Sequence, residues 1–230
     1  MSQTPLNPFA LDEQGVFRPS VPPVPEWLTL GFGSRLASDW PAGAVRVRQV
    51  HSDRIVSVKE PWSVEQAPEA DALVCGRPGL LLAIRTADCL PILMVDERTR
   101  AVAAVHAGWR GTAQRIAAKT VAELQRSLGS QVQDLRVWLG PGIGECCFEV
   151  GPEVTAQFAG FTRPAEAAGK SWLNLTAANT RQLTDAGVQP ERIHAYSGCT
   201  RCDPALFHSW RRDGESAGRM TAAIGVRLGS

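Results

Sequence analysis

Histidine is scarce in this 230-residue chain, which carries only His51, His106, His194 and His208. Two of the four stand where a reaction would need them. His51 follows the run RVRQV, and His106 closes AVAAV immediately before Ala107-Gly108-Trp109-Arg110-Gly111. A polar residue at a strand end, followed by a glycine turn, projects into a cleft at the sheet edge. Cys89 lies in TADCLP, ahead of another apolar run, and its lead-in Thr86-Ala87-Asp88 is small and polar, as a site wall would be. Two imidazoles and one thiolate make a three-donor zinc site with an open fourth position, the arrangement of catalytic zinc. A metal held in that way brings the pKa of water towards about 7 and so supplies a nucleophile at neutral pH. The three donors are not gathered in a compact CxxC or HExxH motif. The residues alone therefore leave a second reading open, in which each histidine caps a strand and Cys89 is a core thiol.

The elements that must position these residues are short apolar runs broken by Gly, Pro and Asp. Residues 45–50, 55–58, 72–75 and 80–84 read as strands. Residues 90–95 and 101–106 are apolar at consecutive positions, which predicts strands buried on both faces, with the DERTR segment between them as a hairpin turn. Residues 113–128 repeat apolar positions at helical spacing, with Thr112 as N-cap and Gly129 as the stop. A strand over 135–139 runs into the loop GPGIG, a helix covers 175–186 and ends at Gly187, and 192–197 and 220–226 read as closing strands. The order of elements is mixed, not a regular βαβ alternation. It predicts an α/β fold, a single-domain layered α/β sandwich with a mixed sheet. Residues 1–26, with the proline-rich PSVPPVPEW, read as an extended lead-in to a catalytic domain over 27–230.

Hydrophobic residues make up 44% and charged residues 20% of the chain, so it is globular and long enough to bury a core in one domain. A net charge of +1 gives no field that would favour nucleic acid or an anionic membrane as a partner. An anionic substrate must therefore be held by local residues. No apolar run approaches the roughly 20 residues needed to cross a bilayer, and the first residues lack the basic-then-apolar order of a secretion signal. The expectation is a soluble, cytoplasmic protein. Six cysteines are too few for a disulfide scaffold at this length, so each is a ligand, a reactive thiol or a small core residue.

QVHSD (49–53), TADCLP (86–91), HAGWRG (106–111), GPGIGECCFEVG (140–151) and RCDPALFHSWRRDG (201–214) together resemble, in this order, the bacterial YfiH/YlmD-type family. That family was long described as a multicopper polyphenol oxidoreductase, or laccase-domain, family. It is now associated with purine nucleoside phosphorylase and adenosine deaminase activity, and some members with peptidoglycan editing. The resemblance covers roughly residues 45–225. It implies a layered α/β sandwich and a zinc ion bound by His51, Cys89 and His106, the three residues that the chemistry had singled out. The chain departs from the family in the segment before QVH, where LGFGSRLASDWPAG is an abbreviated form of a longer stretch, which bears on substrate preference. Ser52 also stands where glycine is common.

Around these three, further residues are candidates. Arg110, beside the 111–113 turn at a predicted helix start, is a candidate phosphate or ribose contact, or else pairs with a carboxylate. Trp109 reads as a core residue. Asp88 is a candidate proton shuttle or an orienting partner of a ligand, and Asp71 a candidate substrate contact; turn capping is the alternative for both. Cys146 is a candidate pocket residue, while Cys147 and Phe148 read as core packing. CTRC (199–202) has CxxC spacing but, without a second pair, reads as buried thiols. Arg211, in the Arg211-Arg212 pair, is a candidate contact for an anionic substrate group, with a solvated turn as the alternative. His194 and His208 read as structural.

These features and the resemblance together point to a zinc enzyme that takes purine nucleoside and phosphate. The two reactions are phosphorolysis of adenosine, inosine or methylthioadenosine-type nucleosides and deamination of adenosine. The alternatives are an amidase that edits a peptidoglycan precursor, a copper-dependent phenol oxidase and a non-catalytic binding protein. Four histidines cannot supply both a blue-copper-type site and a cluster of imidazole-ligated coppers in one subunit, although Cu2+ could load at the same three ligands in vitro.

Overall fold

The computed structural model describes residues 7–37 and 40–229. Along the chain run β1 (Phe9–Leu11), β2 (Val16–Pro19), β3 (Leu28–Gly33), β4 (Ile55–Ser57), β5 (Ala72–Cys75), β6 (Leu81–Thr86), β7 (Leu90–Asp96) and β8 (Val102–Ala107). Helices α1 (Trp109–Ala113) and α2 (Ile116–Leu128) precede β9 (Leu135–Leu139) and β10 (Glu149–Val150). The chain continues through α3 (Pro152–Thr155), β11 (Thr162–Pro164), β12 (Ser171–Leu173), α4 (Leu175–Asp185), β13 (Ile193–Ala195), α5 (Trp210–Asp213) and β14 (Met220–Val226).

A six-stranded sheet in the order β13-β9-β7-β8-β5-β4 forms the middle layer. It is mixed: β13 runs parallel to β9 and β4 to β5, whereas β7, β8, β5 and β9 pair antiparallel. Successive side chains of a strand point to opposite faces, and here both faces are covered. Leu73, Leu93, Val95, Val102, Ala104 and Trp138 meet a five-stranded sheet, β1-β2-β3-β14-β6, through its Leu30, Phe32, Leu82, Ile84 and Ile224. Ala72, Val74, Ile92, Met94, Ala103, Val105 and Val137 face α2 and α4, which contribute Ile116, Val121, Leu124, Ala178 and Leu183. The consecutive apolar positions of β7 and β8 follow from this two-sided burial, and every residue of both strands is buried. The result is the expected layered α/β sandwich with a mixed central sheet.

Four local expectations differ from the structure. Residues 45–50 form no continuous strand. Val45 bridges Leu82 and Arg48 bridges Glu69, so the backbone pairs with β6 at one end and with the 68–70 segment at the other. Thr112 is not an N-cap. Helix α1 starts at Trp109 with Gly108 before it, and Arg115, at φ 64°, separates it from α2. The buried Thr112 instead accepts a hydrogen bond from Asn179 (3.0 Å), tying α1 to α4. Within the proline-rich 1–26 segment, of which 1–6 lie outside the described residues, β1 and β2 form a hairpin that joins the sheet through β3. Phe9 and Phe17 hold it there by ring contacts with Phe32, Tyr196 and Phe207. The small sheet β10-β12-β11 was not foreseen; its strands are two or three residues long, too short for a periodic signal.

Candidate metal centre

The ladder between β7 and β8 pairs Pro91 with His106, so Cys89, two residues before Pro91, comes up beside the end of β8. His51 arrives from the turn before β4. The donor atoms of His51, Cys89 and His106 all lie within 4.8 Å of one another, and the two imidazole rings meet edge to face with centroids 4.9 Å apart. Gly108 gives the group its space: a Cβ there would stand 3.0 Å from Cys89 Sγ and 3.2 Å from His51 Nδ1. His51 lies in the left-handed region, at φ 58°, a conformation costly for a non-glycine residue and typically retained where the surroundings enforce it.

Asp71 does the enforcing. It immediately precedes β5, whose register with β8 sets it against His106, and its carbonyl accepts the His106 N–H (2.7 Å). The Asp71 carboxylate accepts the backbone N–H groups of Val50 (3.2 Å), His51 (3.0 Å) and Ser52 (2.6 Å) and the Ser52 hydroxyl (2.8 Å). The same carboxylate meets His106 Nδ1 at 2.8 Å. An ionised carboxylate can only accept, so Nδ1 carries the proton and Nε2 is left to serve as a ligand. Asp71 is 0% and His106 4% exposed. The sequence reading of Asp71 as a substrate contact is therefore corrected: it lies beneath the donor layer, its oxygens occupied by the 50–52 turn and the His106 ring. Ser52, the departure from glycine, adds the hydroxyl bond.

The charges of the group are coupled. Burial alone would raise Asp71, but the His106 ring and the two Ser52 donors hold it at about 2. Burial would raise Cys89 as well, yet His106 and His51 bring it down to about 6. Against burial, Asp71 and Cys89 raise His106 to about 9. At neutral pH the metal-free group thus holds a thiolate and an imidazolium, and a metal must displace the His106 proton. Zinc affinity should rise about tenfold per pH unit between about 6 and about 9, more steeply below 6 where Cys89 is also protonated, and level off above 9. Calorimetric titration in buffers of different ionisation enthalpy should show at least one proton released per zinc near pH 7.5, the His106 proton plus whatever the metal-bound water gives up. Binding without proton release would contradict the coupling.

A cavity of about 800 Å³ opens over the three donors, and Asp88, Trp109, Arg110, Ile143, Phe148, Trp210 and Arg211 are among its walls. Asp88 is 8% exposed, and its carboxylate accepts Thr200 Oγ1 (2.6 Å), Ser209 Oγ (3.0 Å) and the Arg211 N–H (2.7 Å). Its acceptor sites are thus committed to the 200–211 segment, which suits an anchor of the cavity wall better than a proton shuttle. Arg110 lies over the Trp109 ring (4.5 Å), exposed, with no carboxylate within ion-pair reach among the described residues. Arg211 lies over the Phe148 ring (5.4 Å) and donates to the Glu149 carbonyl (2.8 Å). Cys146 does not line the cavity; it is turned towards Cys147, Cys199 and Cys202.

Phe148 and Trp109, both read from sequence as core, pack on the core and line the cavity as well. Arg48, Arg85 and Arg219 also line it and had no motif of their own, as does Trp210, which lies within RCDPALFHSWRRDG but had no role assigned. Arg85 is the one exposed residue of β6, and Arg219 precedes β14, whose Met220 pairs with Thr86. Burial and the neighbouring guanidinium groups of Arg46 and Arg219 lower the Arg85 pKa. Such crowding of like charges at a cavity favours an anion. His194 lies on β13 near Trp138, and His208 packs against Gly218; neither lines the cavity.

Layered sheets with a His–Cys–His group at a cavity define the class, and comparison with known proteins gives the family. The chain belongs to the multi-copper polyphenol oxidoreductase laccase family, whose model matches residues 34–227. It is 41% identical over 187 residues to a purine nucleoside phosphorylase of Deinococcus radiodurans, covering 79% of this chain and 69% of that one. It is 38% identical over 196 residues to adenosine deaminase RL5 of an unknown prokaryotic organism, covering 78% and 74%. The structure of YlmD from Geobacillus stearothermophilus superposes with a TM-score of 0.87 at 29% identity, covering 96% of this chain and 99% of that one. The family's description is of a multi-copper oxidase, but only two imidazoles reach this centre, too few for a blue-copper-type site plus a copper cluster. No helix among the described residues is long and apolar enough to cross a membrane.

Proposed function

We propose that this chain is a zinc-dependent enzyme of purine nucleosides, acting by phosphorolysis and by deamination of adenosine. One observation carries the reading: the three-donor group opens into a cavity walled by flat apolar side chains and rimmed by arginines. The donor set, the Gly108 cradle and the Asp71 support fit a zinc ion held by His51, Cys89 and His106. When bound, such an ion supplies Lewis acidity and activates water. The cavity volume lies within the range of small-molecule sites. Trp109, Phe148 and Trp210 offer surfaces for a purine base. Arg110 and Arg211, with Arg85 and Arg219, offer guanidinium groups to phosphate.

In phosphorolysis, a phosphate oxygen attacks C1′ as the C1′–N9 bond breaks, giving ribose 1-phosphate and the base, which gains a proton. In deamination, water replaces the amino group at C6, giving inosine and ammonia. The chain's contribution is to orient the base, hold the anion beside C1′ and fix the two imidazoles. The names of the relatives, a nucleoside phosphorylase and an adenosine deaminase, support both reactions. Asp88 acts as a positioning residue, joining the Cys89 turn to the wall that carries Arg211.

Arg110 should separate the two reactions because its guanidinium makes no ion pair among the described residues. Arg110→Ala should raise the KM for phosphate about ten- to a hundredfold, the worth of one or two charge-assisted hydrogen bonds. Deamination in phosphate-free buffer should change less than about threefold. Steady-state kinetics on both reactions make the test, and equal losses in the two would remove Arg110 from the phosphate site.

A further inference from the structure

Away from the His–Cys–His group, four more cysteines converge. Cys146 and Cys147 lie on the turn after β9, and Cys199 and Cys202 on a turn after β13. The CxxC pair that lacked a partner in the sequence therefore has one in space, more than fifty residues away. All four are free thiols, and their sulfurs lie within 4.8 Å of one another. Cys147 Sγ is 3.3 Å and Cys146 Sγ 3.7 Å from Cys202 Sγ, and the sulfurs of Cys146 and Cys147 are 3.7 Å apart. Four thiolates around zinc at about 2.3 Å stand about 3.8 Å from each other, the edge of the tetrahedron. The observed spacing is close to that of a tetrathiolate cage.

The backbone is arranged accordingly. The 199–202 segment turns tightly, with the Cys202 N–H donating to the Cys199 carbonyl (3.2 Å), and the Cys147 N–H donates to the Gly144 carbonyl (3.0 Å). Two donors point at sulfur: the Gly144 N–H to Cys199 Sγ (3.2 Å) and the Arg201 guanidinium to Cys147 Sγ (3.5 Å). N–H donors aimed at sulfur favour the ionised ligand. Gly144 also keeps the centre open, since a Cβ there would meet Cys199 Cβ at 3.1 Å and Cys146 Sγ at 3.3 Å.

We propose that Cys146, Cys147, Cys199 and Cys202 form a second, structural metal site that takes a zinc ion in tetrathiolate coordination. Four protein donors leave no open position, which makes the site closed and non-catalytic, unlike the three-donor group at the cavity. Its place in the fold gives it a task. The two turns it joins carry Ile143 and Phe148 on one side and lead to Trp210 and Arg211 on the other, all walls of the cavity. The same segments also meet through Thr200 N–H on the Gly142 carbonyl (3.1 Å), through the Arg211 guanidinium on the Glu149 carbonyl (2.8 Å), and through Asp88, which accepts Ile143 N–H on its carbonyl and Thr200 Oγ1 on its carboxylate. A metal clip behind that junction would hold the cavity wall in register with the Cys89 turn.

The test measures metal content in protein purified under reducing conditions, for wild type, a His51→Ala/His106→Ala variant and a Cys199→Ser/Cys202→Ser variant. The wild type should carry one more zinc equivalent than the cysteine variant, and the histidine variant should retain an equivalent. Cobalt-loaded histidine variant should show strong thiolate-to-cobalt charge transfer and intense tetrahedral d–d bands. The cysteine variant should keep the cavity-site metal and melt on the order of 5 °C or more lower. Should the histidine variant fail to fold, the wild-type-minus-cysteine-variant difference in zinc and in the cobalt spectrum decides alone. No such difference, or a disulfide among the four cysteines found by mass spectrometry of the reduced-purified protein, would overturn the proposal. Because these readouts are stoichiometry, spectrum and stability, they stand whether or not the nucleoside reading holds.

Discussion

Replacing His106 with alanine is expected to lower turnover of adenosine by about a thousandfold or more and to remove tight zinc binding at the cavity, while the chain should still fold. The magnitude follows from taking away a Lewis acid that contributes several kcal/mol to charge stabilisation, where about 4 kcal/mol corresponds to three orders of magnitude in rate. The loss is expected in both phosphorolysis and deamination. His106 is the best-buried member of the donor group and the one whose ring is held by the Asp71 carboxylate. Truncation leaves a small cavity and frees one Asp71 oxygen, which still accepts the His51 N–H. Breaking the buried Asp71–His106 pair from this side should cost up to about 3–5 kcal/mol in the metal-free protein, offset in part by the 50–52 donors that Asp71 keeps, with an unchanged far-UV circular dichroism spectrum. Undiminished turnover in a folded, zinc-free His106→Ala protein would contradict the assignment.

The second large effect concerns a residue that touches neither cavity nor substrate. Asp71→Asn should weaken zinc binding about ten- to a hundredfold, as loss of an outer partner of a metal-binding histidine does. It should also destabilise the metal-free protein by about 3–5 kcal/mol at pH 7, since a buried His106 loses its counter-charge. An asparagine amide sets N–H against N–H where the carboxylate accepts the 50–52 turn, so His51 should lose its left-handed pose as well. The sign of the pH dependence is fixed by the direction of the shift. Asp71 is lowered from 3.8 to about 2, so its stabilisation is complete above about pH 4 and is lost as the pH falls towards 2. The stability gap between wild type and variant should therefore narrow across that interval in denaturant titrations. A constant gap would mean that the carboxylate's charge is not what stabilises the turn.

The residues that gather at the centre were legible because histidine is rare here and because His106 and Cys89 border apolar runs that could only be buried strands. The ladder pairing Pro91 with His106 turns that pattern into proximity. Asp71 was noticed but misplaced, since its role depends on a register between β5 and β8 and on a turn 20 residues earlier, neither of which a linear pattern encodes. The arginines at the cavity rim were missed for a similar reason: Arg85 and Arg219 become neighbours only through the pairing of β6 with β14. Thr112 satisfied the composition rule for an N-cap, but the chain reaches its helical start at Gly108 and breaks at Arg115, leaving Thr112 to bond Asn179. The 45–50 run has the alternation of a strand and buries Val45 and Val47, yet its backbone partners lie on two different segments. The four-cysteine cluster joins residues some 55 positions apart, and CTRC alone gave no sign of Cys146 and Cys147.

The His51–Cys89–His106 group is what we propose makes this chain a metal-dependent enzyme of purine nucleosides. The most direct measurement is to strip the metal from the wild-type protein, restore zinc, and separate the products of adenosine with and without phosphate. Inosine is expected in phosphate-free buffer, adenine with ribose 1-phosphate when phosphate is present, and neither from the stripped protein. No product from the fully zinc-loaded protein, or the same products at the same rate before and after stripping, would contradict the proposal.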